Sequence, residues 1–88
     1  MKETSISIER QVELIKRMYE AENTPFEDVP HVLGPLDGME APVPLVDNQL
    51  PEGQQYKFSM GDHHSRNHVY KLFEEGLSVR YVFIGTVE

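Results

Sequence analysis

Three of the chain's four histidines fall in one short stretch, Met60-Gly61-Asp62-His63-His64-Ser65-Arg66-Asn67-His68. Two imidazoles four residues apart on a helix can chelate one metal ion, which makes His64 and His68 a candidate pair. On the helix expected over residues 63–75, however, they share a stripe with Lys71 and Glu75, and Lys71 repels a cation. His63 points about 100° away from that stripe. A third ligand would have to come from Asp28, His31 or Asp37.

The same stretch also reads as a turn from strand to helix. Free N–H groups at a helix N-terminus attract phosphate or carboxylate. Gly61 supplies the turn, His63 and Ser65 further donors, and Arg66 a guanidinium fork. Arg80 stands in the apolar run Val79-Arg80-Tyr81-Val82, where a charge needs a partner, and is a second anchor for an anion or an interface. A nucleotide-like molecule is the ligand such a site would sequester or sense. Asp62 competes with it, because an acid at that position is the usual N-cap for those same N–H groups. No glycine-rich phosphate loop, nucleophile elbow or carboxylate pair at catalytic separation accompanies the stretch. No reaction, catalytic residue or cofactor is therefore read from it.

The charge pattern offers a different surface. The net charge is −7 over 88 residues. No Lys or Arg occurs between Met18 and Tyr56, while eight acids do: Glu20, Glu22, Glu27, Asp28, Asp37, Glu40, Asp47 and Glu52. Direct nucleic-acid binding needs clustered Lys and Arg and is not expected. A protein partner with a basic surface is, with Glu27, Asp28, Asp37 and Glu40 as the candidate contacts.

These residues must be positioned by elements of helix and strand. Ile8, Val12, Ile15 and Tyr19 mark one face of an amphipathic helix ending near Asn23, with Ser7 as N-cap. Residues 24–54 contain all six prolines and read as an acidic arm or loop. Tyr56, Phe58 and Met60 alternate with polar residues as in a half-buried strand. Residues 63–75 suit a second helix, with Val69, Leu72 and Phe73 inward and Gly76 as terminator. Residues 77–87 suit a central strand, apolar on both faces. The expected fold is α+β, one small domain over residues 1–88: a long N-terminal amphipathic helix (1–23), a Pro-rich acidic connecting segment (24–54), then strand-helix-strand forming a small sheet (55–88).

A core of this size is only marginally stabilising, which lowers the prior for a buried active site and favours a homo-oligomer. The chain has no cysteine, no apolar run of membrane-spanning length and no signal-like N-terminus, so a cytoplasmic protein is expected, or one in the host cytoplasm if it is viral. Together the residues favour a small non-enzymatic binding protein, a regulator or inhibitor that occupies a protein partner in the manner of phage accessory or counter-defence proteins. Capture of a small anion around Gly61 to Arg66 is the alternative, and a histidine metal site the third reading.

Overall fold

The computed structural model describes residues 7–58 and 66–87. Helix α1 (Ile8–Ala21) precedes strands β1 (Phe26–Val32), β2 (Glu40–Pro44), β3 (Gly53–Phe58), β4 (Arg66–Glu75) and β5 (Ser78–Val87). A 3-10 turn, Gly34–Leu36, joins β1 to β2. The strands form one mixed sheet in the order β2-β1-β5-β4-β3. β1 and β5 run parallel, and the other neighbours antiparallel.

α1 begins as its sequence predicts. The Ser7 hydroxyl accepts the Arg10 N–H at 3.1 Å, satisfying one of the donors the first turn leaves open. Val12 is buried, and Ile8 and Ile15 pack against the core. Past the helix end Asn23 adopts φ 58°, a left-handed conformation that asparagine tolerates.

Residues 66–75 are a strand and not the expected helix. Val69, Leu72 and Phe73 do stand at helical spacing, but His68 and Tyr70 are both buried, a period of two. β4 lies between β3 and β5 and finds ladder partners on both sides, which local helical preference cannot match. Gly76, at φ 62°, belongs to the two-residue turn between Glu75 and Ser78 rather than to a helix end. The last third is therefore an antiparallel β3-β4-β5 meander, not strand-helix-strand. β5 is central, as its two apolar faces imply.

The Pro-rich segment is not an extended arm either, because two of the five strands come from it. Pro42 and Pro44 lie on β2, at the sheet edge, where a missing N–H need not break a ladder. Pro30 precedes the β1–β5 pairing, which starts at His31.

The buried core joins Val12, Val29, Leu36, Ala41, Val43, Tyr56, Phe58, Tyr70 and Tyr81. Its tyrosines fasten the connecting segments to the sheet. Tyr70 donates to the Leu33 carbonyl at 2.9 Å and Tyr81 to that of Pro51 at 2.6 Å. The approach of the β1–β2 turn is close enough to require glycine. At Gly34, with φ +66°, a Cβ would lie 2.5 Å from the Phe83 ring and 2.8 Å from the Tyr70 hydroxyl oxygen.

Candidate functional site

Gly61, His63, His64 and Ser65 lie outside the described residues. Arg66 opens β4, so the expected helix N-terminus has no helix behind it from that residue onward. His68 is 6% exposed, and its ring packs 5.7 Å from Phe58 and 6.1 Å from Phe83, centroid to centroid. Among the described residues neither of its ring nitrogens has a hydrogen-bond partner. Burial, and then the Arg66 charge, push its pKa below the usual histidine value. A neutral imidazole suits those surroundings, whereas the chelating pair with His64 required a shared helical face that β4 does not provide.

The three residues named as further metal ligands have separate structural tasks. His31 is buried, its Nδ1–H donating to the Val29 carbonyl at 2.7 Å and its Nε2 lying 3.0 Å from the Tyr56 hydroxyl. Asp28 pairs with Lys16 at 3.0 Å. Asp37 accepts the Leu33 N–H at 2.7 Å and so steadies Leu33 at φ 69°. No group of three metal-binding side chains occurs among the described residues.

What the fold does assemble is a pair of grooves with no lining residue in common. The first, about 340 Å³, lies between α1 and the β1–β2 ribbon and is lined by Glu9, Val12, Glu13, Lys16, Asp28, Glu40 and Pro42. On α1 the four lining residues recur at three- and four-residue spacing, which places them on one stripe. Across from them Asp28 and Pro42 are register partners, and Glu40 stands two residues before Pro42 on the same side of β2. Four carboxylates and one ammonium thus line the groove, and the Arg17 guanidinium lies 3.9 Å from Glu13 without being part of the lining. Asp28 holds that ammonium by hydrogen bond and charge, raising the pKa of Lys16. Of the sequence candidates, Asp28 and Glu40 belong to this groove, whereas Glu27 is exposed outside its lining and Asp37 serves the turn. Glu9 and Glu13 were missed because the first seventeen residues are nearly charge-balanced. Their position beside Val12 on the helical wheel was the available signal.

The second groove, about 480 Å³, is lined by Val32, Lys71, Leu72, Phe73, Arg80, Val82 and Ile84. In the β4–β5 ladder Lys71 faces Val82 and Phe73 faces Arg80. Alternation puts these four on the face opposite buried Tyr70 and Tyr81. The Arg80 guanidinium lies 4.8 Å from the Phe73 ring centroid and 3.4 Å from Glu75 Oε1. Arg80, which the sequence singles out, is one of the lining residues. Phe73 is not singled out there, since the expected helix turns it inward; it is 49% exposed.

No helix of the described residues is long and apolar enough to cross a membrane. No known protein family matches the chain, and no curated protein or solved structure shows significant similarity to it.

Proposed function

We propose that this protein acts by binding, as a regulator or inhibitor that occupies a protein partner, and that the acidic groove is its contact surface. The observation that carries this reading is that Glu9, Glu13, Asp28 and Glu40 line one concavity whose lining includes a single cationic residue, Lys16. Such a concavity focuses negative potential and takes a lysine or arginine side chain projecting from a basic partner surface. Carboxylates fixed on a helix and a sheet lose less conformational freedom on binding than they would on a free arm. The cytoplasm, or the host cytoplasm for a viral chain, belongs to the same proposal.

Titration with an arginine-rich peptide tests it. A Glu9→Gln/Glu13→Gln/Glu40→Gln variant should bind at least about tenfold more weakly than the parent. A charge-matched control, Glu20→Gln/Glu22→Gln/Asp47→Asn, should differ little from the parent. Equal losses in the two variants would mean that net charge, and not the groove, attracts the peptide.

A further inference from the structure

We infer that the second groove binds a small amphiphilic carboxylate, with an apolar body lying on Val32, Phe73, Val82 and Ile84 and its carboxylate on Arg80 and Lys71. This site is separate from the acidic groove and does not rest on the reading given for it. Five of its seven lining residues are apolar, and the other two are both cationic. The volume of about 480 Å³ falls within the range of small-molecule pockets.

The charges point to an anion. Lys71 and Arg80 are diagonal neighbours across the β4–β5 ladder, so two cationic residues border one apolar floor, with the Arg80 guanidinium lying over Phe73. Among the described residues Lys71 has no ion-pair partner. Arg80 is met only at 3.4 Å by Glu75, a largely exposed carboxylate that holds it weakly. Stacking on Phe73 fixes the plane of the guanidinium while its N–H edge remains available for a two-pronged carboxylate contact. A carboxylate at this floor gains charge-assisted bonds from Arg80 or Lys71, and an attached alkyl or aryl body covers the exposed Phe73 and Ile84.

Amide chemical-shift titration with decanoate and with decanol, both below the concentration at which they aggregate, tests the inference. Decanoate should saturate at one equivalent, with shifts centred on Val32, Phe73, Arg80 and Val82. Decanol should bind at least about tenfold more weakly, since it lacks the charge that pairs with arginine. Arg80→Gln and Lys71→Gln should each weaken decanoate and leave decanol unchanged. Both sites are on the surface of the sheet, so an unaltered spectrum elsewhere verifies that the variants fold. Equal affinity for the two probes would overturn the inference, as would decanoate binding unaffected by either substitution or shifts centred outside the groove. Self-association abolished by Arg80→Gln, with no decanoate bound, would assign the groove to a second copy instead and also overturn it.

Discussion

Tyr70 serves two backbone groups at once, donating its hydroxyl proton to Leu33 O and accepting the Leu36 N–H at 3.0 Å. Tyr70→Phe keeps the ring but leaves the buried Leu36 N–H and the half-buried Leu33 carbonyl without this partner, so it should cost about 1–3 kcal/mol in a urea-unfolding measurement. An unchanged midpoint would mean that water replaces the hydroxyl. The buried histidines make a second residue-scale forecast. Burial is the leading cause that holds both His31 and His68 below the ordinary value of 6.5; at His31 the bond to Val29 opposes it in part. The Tyr56 hydroxyl lies 2.9 Å from the Pro42 carbonyl and 3.0 Å from His31 Nε2, so beside neutral His31 it shares one proton between two acceptors. A depressed folded-state pKa means that the unfolded chain binds protons first as pH falls. Stability from these groups is therefore fully present above the unfolded value and declines below about pH 6.5, through the lower folded values, by at most about 1.4 kcal/mol per pH unit for each histidine. Urea midpoints measured from pH 7.5 to 5 should show that decline, and His31→Phe should flatten it. A decline of the same steepness in His31→Phe would place the linkage elsewhere. None of this was visible in the sequence, where His31 was a candidate third metal ligand and His68 half of a chelating pair. Depth in the core is decided by pairings such as His31 with Tyr81, fifty positions apart in the chain.

At the scale of elements, α1 and β5 could be read from the sequence because one local period dominated each of them. β4 could not, because two patterns overlap in it. Leu72 belongs both to the helical set with Val69 and Phe73 and to the alternating set with His68 and Tyr70. The non-local pairing that decides between them is absent from a ten-residue window. β1 and β2 were hidden by prolines, which argue against a strand in a local reading yet are accommodated on the edge strand β2 and, in β1, at Pro30 just before the pairing with β5 begins. The β4 assignment has a direct check. Cα chemical shifts over residues 66–75 should be strand-like, with cross-strand contacts between the Tyr70 and Phe83 backbones. Helix-like shifts there would dismantle the second groove, because Lys71, Phe73 and Arg80 share a face only in the ladder.

For the whole molecule, the excess charge that the sequence assigns to the middle of the chain acts through its placement in three dimensions. The first groove gathers acids from two segments, Glu9 and Glu13 on α1 and Asp28 and Glu40 on the β1–β2 ribbon. The second keeps two cations on an apolar floor in a chain at −7. A linear tally of charge showed an acidic centre, but not that the helix completes a groove with it. That completion is the central claim. Mapping the arginine-rich peptide on the folded protein by amide chemical shifts, at low and at high salt, tests it most directly. The account predicts shifts centred on Glu9, Glu13, Asp28 and Glu40 that weaken steeply as salt rises, with Glu20, Glu22 and Asp47 unmoved. Shifts spread evenly over all the acidic residues, or centred away from α1 and β2, would contradict it.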